Sequence, residues 1–374
     1  MNIKSLLLGS AAALVAVTGA RAADAVVVAE PEPVEYVRVC DAYGAGFFYI
    51  PGTETCLKID GYVRSDIQGG DDVYSGAERD SYDWRARALL RFDARSETEL
   101  GTLRSFAELR YNFKNGADAD KVDLNQATIE LGGFQVGAAD SQFTSWTGYL
   151  GDIINDDVIG EGRYVTNQIS YTFSGGNGFS ALIGLEQGSG STGTIDLNSG
   201  DDIGSVSHVI DDYAPHVVAG GKVEQGWGSV SAVVGYDTVV EEFAGKLRAD
   251  VKFSDSISAW VMGGYQSDWD KTEIVEEEEL FVGNYFAPWF GDWAVWGGVA
   301  IKATEQATVN AQLAYEDDGT FAAALNVGYE LVPGFKITPE INYTKFDGQR
   351  AESVEAVGGK DSAFGGIVRF QRNF

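Results

Sequence analysis

The stretch WRARALLRFDAR at 84–95 sets Arg85, Arg87, Arg91 and Arg95 at odd positions and fills the even ones with Trp84, Ala86, Ala88, Leu90, Phe92 and Ala94. Side chains two residues apart along a strand share a face, so this spacing stands a row of guanidinium groups opposite a row of apolar ones. A guanidinium is charged at every accessible pH and donates hydrogen bonds in a fixed fork. It can set up a field across a water-filled space, but it is neither a nucleophile nor a proton shuttle. Groups suited to those tasks are sparse. His208 and His216 are the only histidines and there is no G-x-S-x-G stretch, so a nucleophile, a base and an orienting group have no recognisable spacing. The chain reads as a non-enzyme that takes no cofactor. The question becomes what architecture wants one greasy and one basic strand face.

Composition narrows the answer. The chain has 374 residues with 47 Gly, 12% aromatics and a formal charge of −29, a balance that would repel phosphate and argues against nucleic acid as a partner. MNIKSLLLGSAAALVAVTGARA opens with Lys4, runs apolar from Leu6 to Val17 and ends on Ala20-Arg21-Ala22. This is the pattern of a cleaved secretory signal over 1–22, because the apolar run falls short of the ~18 residues a spanning helix needs. Cleavage would remove Lys4 and Arg21 and no acid, leaving the mature chain more acidic still. The only cysteines, Cys40 and Cys56, lie in the short pre-barrel piece 23–56 of an exported chain. A disulfide between them is expected, closing a loop of about 15 residues worth roughly 3 kcal/mol. Two free buried thiols or a metal site are the alternatives, the metal being the poorer because both histidines are far off in sequence.

From Leu57 onward the chain breaks into short segments of period two, separated by Gly, Asn, Asp and Ser clusters. LKIDGYVRSDI sets Leu57, Ile59, Val63 and Ile67 against Lys58, Asp60, Arg64 and Asp66; TLRSFAELRYNFK sets Leu103, Ala107, Leu109, Tyr111 and Phe113 against Arg104, Glu108, Arg110, Asn112 and Lys114. The scheme recurs through TVNAQLAYE and FKITPEINYT to the final strand, giving sixteen candidate strands, many near the ~9 to 11 residues that a tilted membrane strand needs. Connections alternate in length. Turns such as SETELG, GG, QGWG and VPG interleave with long loops at 68–82, 114–121, 140–167, 188–214, 268–290 and 347–360. Short turns on one rim and long loops on the other describe a transmembrane β-barrel. The fold class is therefore all-β, a 16-stranded antiparallel barrel over 57–374. Trp84, Trp227, Trp289, Trp293, Tyr236, Tyr265, Tyr315, Tyr329 and Tyr343 fall near strand ends, where interfacial girdles belong.

In lipid the apolar face must point outward, so the charged rows have only the lumen to occupy. Arg64, Arg85, Arg87, Arg91, Arg104 and Arg110, with Lys58, would form a basic wall on three consecutive strands. Sixteen strands leave an aqueous channel, and the candidate for narrowing it is the third long loop, SQFTSWTGYLGDIINDDVIGEGRYVTN. Its Leu150, Ile153, Ile154, Val158 and Ile159 would dock it inward, while Asp152, Asp156, Asp157 and Glu161 would face the basic row and create a transverse field. An ordinary solvated loop is the alternative. The acidic runs EEEE at 276–279 and Asp201, Asp202, Asp211 and Asp212 read as solvated external loops, with cation bridging to lipopolysaccharide as a lesser possibility.

The segment VEYVRVCDAYGAGFFYIPGTETCLKIDGYVR, from Val34 to Arg64, resembles the start of the mature general porins of alphaproteobacteria, the Brucella-type porin family, and the similarity runs on to FQRNF at the C-terminus. That resemblance implies a homotrimer of 16-stranded barrels in the outer membrane, each a passive water-filled channel for small hydrophilic solutes and ions. It implies too an inward-folded third external loop at the eyelet, with the loop acids and wall arginines just named on its two sides. Rivals are a sugar-type specific channel, kept open by Trp260 and Trp296 at inward positions, and an adhesin or structural barrel. Overall acidity leads to an expected weak preference for cations, opposed at the narrowest point by the basic wall.

Overall fold

The computed structural model describes residues 38–116, 123–195, 202–275 and 278–374; the signal expected at 1–22 lies outside them. Among the described residues sixteen strands close into one antiparallel ring: β1 (Cys56–Gly70), β2 (Asp83–Thr98), β3 (Gly101–Lys114), β4 (Asp123–Leu131), β5 (Phe134–Asp140), β6 (Val165–Gly176), β7 (Phe179–Glu186), β8 (His216–Gln225), β9 (Gly228–Asp237), β10 (Glu242–Ser254), β11 (Ile257–Gln266), β12 (Trp293–Lys302), β13 (Ala307–Glu316), β14 (Phe321–Val332), β15 (Phe335–Lys345) and β16 (Ser362–Asn373). Each strand pairs with its sequence neighbour, and β16 returns to pair with β1 from Tyr62↔Asn373 to Gly70↔Gly365. Phe374 completes the seam by exchanging two backbone hydrogen bonds with Gly61, both 3.1 Å. A closed ring leaves no row of unpaired edge groups.

Local sequence sets the tight turns. Gly132 and Gly133 join β4 to β5 with φ of 57° and 93°, and Asn177-Gly178 joins β6 to β7 with φ of 49° and 77°. Two successive positive φ values match the right-handed twist of a two-residue hairpin, which is why Gly-Gly and Asn-Gly stand there.

The two faces of the sheet are inverted relative to a soluble protein. Along β15, Ile341 is 50% exposed and Tyr343 40%, while Glu340 and Asn342 between them are each 3% exposed. The same alternation places Ile59, Val63, Phe92, Ile129, Ile183, Val234, Leu247, Val261 and Leu313 on the exposed face. An apolar exterior around a polar interior is what a sheet immersed in hydrocarbon requires.

Residues 40–49 are held at the start of β1. Cys40 and Cys56 form a disulfide with their Cα atoms 6.0 Å apart. Phe48 pairs with Leu57, and Cys40, Cys56 and Phe47 make a small buried cluster. The guanidinium of Arg95 lies over the rings of Tyr43 (5.7 Å) and Phe47 (5.1 Å). Of the expected girdle aromatics, Trp289 is misplaced: it is 2% exposed and packs on Trp296 with ring centroids 5.4 Å apart. The long connections also contain pieces that period-two reading passes over, namely the hairpins Ser191–Ile195/Asp202–Ser207 and Thr272–Val275/Glu278–Phe281 and a helix over Gly348–Ala356 capped by Asp347.

Val261 sits mid-strand on the exposed face of β11, 59% exposed. Its replacement by Arg should lower stability in lipid by ~2 to 4 kcal/mol, the cost of a cation near the bilayer midplane. Urea unfolding from phospholipid vesicles measures it, and a near-neutral result would place Val261 away from hydrocarbon.

Candidate functional site

Strand register decides which charges meet. Between β1 and β2, Asp66 lies opposite Arg85, Arg64 opposite Arg87, and Asp60 opposite Arg91. Between β2 and β3, Arg87 lies opposite Asn112, Arg91 opposite Glu108, and Arg95 opposite Arg104. The row expected to be a basic wall is therefore laced with carboxylates from its own strands. Arg85 Nη2 and Arg369 Nε reach the two oxygens of Asp66 at 2.8 and 2.7 Å, and Arg64 Nε stands 3.5 Å away. Arg91 bonds Glu108 at 2.6 Å, and Arg104 joins Asp93 at 3.0 Å and Glu130 at 2.6 Å. Arg110 is 3.6 Å from Asp123. Arg87 instead donates to the neutral amide oxygen of Asn112 at 2.6 Å.

The segment 141–164 between β5 and β6 starts with Ser141, whose hydroxyl caps a single helical turn over Gln142–Ser145. Phe143, Leu150 and Ile159 are wholly buried and share one apolar cluster with Val218 of β8, Val233 of β9, Met262 of β11 and Trp296 of β12. Polar groups carry the segment further round the ring. Lys246 Nζ of β10 donates to the Glu161 carbonyl (2.7 Å), Trp296 Nε1 to Ile159 (2.8 Å), Gln312 Nε2 of β13 to Asp156 (2.9 Å) and Asn326 Nδ2 of β14 to Asp152 (2.7 Å). Glu340 of β15 accepts the backbone N–H groups of Ile154 (2.7 Å) and Asn155 (2.9 Å).

Between this segment and β1, β2 and β16 lies a cavity of about 540 Å³. Of the residues expected at the site, Arg64, Arg85 and Arg87 line it on one side and Asp156 and Asp157 on the other. Arg91, Arg104 and Arg110 are not in that lining. Asp152 is an exposed carboxylate 4.0 Å from Lys336, and Glu161 is fully buried near Lys246. Arg79, Lys114 and Arg369 join the lining unanticipated. Arg369 was accessible in principle, since GGIVRFQRNF alternates with period two and puts it on the inward parity. Glu340 is on the inward parity of FKITPEINYT in the same way, but its role is not readable there, because the loop N–H groups it accepts lie about 185 residues away. The two histidines stand together in a buried loop anchor: His216 lies 3.2 Å from Asp237, faces the His208 carbonyl at 3.0 Å and stacks on Tyr285 at 4.7 Å. Burial and the nearby Arg163 push the His208 imidazole down to about 4.

Burial, then the neighbouring Asp157 and Glu161, push the Asp156 carboxyl up to about 8. Burial pushes the Glu161 carboxyl up, against the pull of Lys246. Both shifts mean that the docked segment holds protons that water would take.

An apolar-sided, closed sheet around a charged, water-accessible interior defines a channel-type barrel of the outer membrane. A family profile described as "Porin subfamily" matches residues 24–366, and the chain belongs to this porin family. Porin Omp2b of Brucella suis biovar 1 and that of Brucella melitensis biotype 1 are each 54% identical over the whole of both chains. The fold is similar to the outer membrane channel DcaP of Acinetobacter baumannii, with a TM-score of 0.63 at 16% identity over 87% of this chain and 99% of that one. It is similar also to a mutant of Rh. blastica porin, with a TM-score of 0.55 at 15% identity over 85% and 100%. The protein is an integral outer-membrane porin, and its family points to a channel rather than an enzyme.

Asp156 titrates ordinarily near 3.8 and here near 8. The sign follows: docking of the segment is fully supported below about pH 4 and loses that support as pH rises through 8. Amide exchange of Ile153–Asp157, corrected for intrinsic rates, should therefore quicken progressively between about pH 4 and 8 and level off above that. Asp156→Asn should flatten the dependence, and an unchanged profile would remove Asp156 as its cause.

Proposed function

We propose that the channel passes small hydrophilic solutes and ions by passive diffusion through a constriction, with segment 140–167 folded inward as its third external loop. Asp156 and Asp157 supply the loop side of that eyelet and Arg64, Arg85 and Arg87 its wall side, with Arg91, Arg104 and Arg110 continuing the wall row, Asp152 exposed beside Lys336 and Glu161 buried behind the loop. The observation that carries this reading is the set of hydrogen bonds from a segment leaving β5 to side chains on β10 and β12 to β15. A connection lying outside the ring could not reach them. Export by a cleaved signal over 1–22, short turns on the periplasmic side, assembly as a homotrimer and contact with lipopolysaccharide complete the proposal. Trp296 is spent on packing against the segment, and Trp260 faces the Arg248 guanidinium at 4.4 Å. General diffusion is thus favoured over an aromatic slide for sugars.

Ion preference rests on a near balance. The cavity is lined by six basic side chains and five carboxylates, of which Asp156 is held largely protonated at neutral pH. Narrow, low-dielectric walls make such local charge count for more than distant charge. The eyelet therefore offsets the cation preference expected from the −29 charge, and selectivity is weak.

Two variants test the reading in planar bilayers. Glu340→Ala removes the acceptor of two loop N–H groups and should raise single-channel conductance with more open-state noise; an unchanged conductance overturns the inward loop as the constriction. Arg87→Ala should move the reversal potential in a salt gradient toward cations. The same change at Arg104, held by Asp93 and Glu130, should move it less, and no shift in either takes the wall out of the ion path.

A further inference from the structure

We infer that the rung formed by Arg64 and Arg87 is a binding subsite for multivalent oxyanions, such as free phosphate or small phosphorylated solutes, within the constriction proposed above. The two arginines are direct cross-strand partners, an arrangement in which like charges destabilise a sheet unless something of opposite charge stands between them. The neighbouring carboxylate does not suffice. Asp66 is already shared by Arg85 at 2.8 Å and Arg369 at 2.7 Å. Arg64 has only an ion-pair distance of 3.5 Å to the same group, and its buried Nε makes no hydrogen bond. Arg87 rests on the neutral amide of Asn112. Arg64, Arg85 and Arg369 thus share the single carboxylate of Asp66, with Arg87 beside Arg64 on the same 540 Å³ cavity, a volume in the range of small-molecule sites.

The chemistry selects the class of ligand. Guanidinium forks match tetrahedral oxyanions, bonding two oxygens at once, whereas chloride offers no such geometry. Of the cavity's other acids, Asp72 and Asp83 are paired with Arg79 at 2.6 and 3.1 Å, and Asp156 and Asp157 stand on the segment across from the rung. Asp157 accepts a 2.8 Å hydrogen bond from the Tyr74 hydroxyl, and burial keeps Asp156 largely neutral at pH 7, so the opposing repulsion is reduced. The field at the rung would otherwise fall on water. A passing dianion is the species that it holds best.

The test is single-channel current of the full-length protein in potassium chloride at pH 7, with inorganic phosphate replacing chloride at constant ionic strength. Phosphate should reduce the current saturably. Arg87→Gln and Arg64→Gln should each raise the half-blocking concentration about tenfold, the loss of one charge-assisted hydrogen bond. Lys345→Gln, which removes a cation from the exposed pair with Asp361, should leave it unchanged. A current that falls only in proportion to the chloride withdrawn overturns the subsite, as does a saturable block indifferent to both arginine variants. If Glu340→Ala still alters conductance in either case, the constriction stands and the subsite alone fails. Sheet content by circular dichroism checks that each variant has folded.

Discussion

One requirement governs the rest of the molecule: within hydrocarbon every backbone N–H and C=O must find a partner in the protein, because water is absent. A ladder of strands meets it only by closing, and closure here depends on the β1–β16 pairing that ends in the two bonds between Gly61 and Phe374. Once the ring is closed, strand pleating assigns alternate residues to lipid and to the interior. The lipid half must be apolar, so much of the charge of an acidic chain is forced into the lumen or onto the rims. The composition of the interior is a consequence of the solvent outside.

Charges crowded in this way cannot all be compensated, and register decides which are. Where β1, β2 and β3 place opposite signs on one rung, as at Asp60, Arg91 and Glu108, the field is largely consumed. Partly wet pairs of this kind contribute little to stability. Where like signs share a rung, a neighbouring carboxylate decides: Arg95 and Arg104 both bond Asp93, whereas Arg87 opposite Arg64 rests on a neutral amide. The same amino-acid composition with one strand shifted by two residues would give a different channel inside an identical ring.

This explains what was legible in the sequence. Period two gives the strands, and β1 and β3 contain the alternating segments LKIDGYVRSDI and TLRSFAELRYNFK. The arginine row and the apolar content of the third long loop are equally visible, since each is a property of neighbours along the chain. The compensating acids Asp66, Asp93 and Glu108 stand in the same segments, but which arginine each meets depends on register between strands. Arg91 reads as part of a bare basic row and is paired to Glu108. Trp289 reads as an interfacial aromatic because it lies near a strand start, yet the loop folds it onto Trp296. The helix Gly348–Ala356 buries a single apolar side chain, Val354, so no apolar stripe marks it, and its Asp347 cap is a signal that period-two reading does not use.

The least legible feature is also the one that holds the segment 141–164. Glu340, 3% exposed, accepts the N–H groups of Ile154 and Asn155 and the side-chain amides of Asn326 and Asn342, at 2.7 to 2.9 Å. Four donors on one buried carboxylate are enough to keep a charge favourable away from bulk water. The loop tip has no ladder of its own to satisfy its backbone, and Glu340, Asn326 and Gln312 on the far wall supply what a sheet would have supplied. The loop's position is therefore encoded on β13 to β15 as much as in the loop itself. Its carboxylates can vary while the wall continues to hold the backbone in place, so the charge of the segment and its geometry are separately adjustable on one barrel.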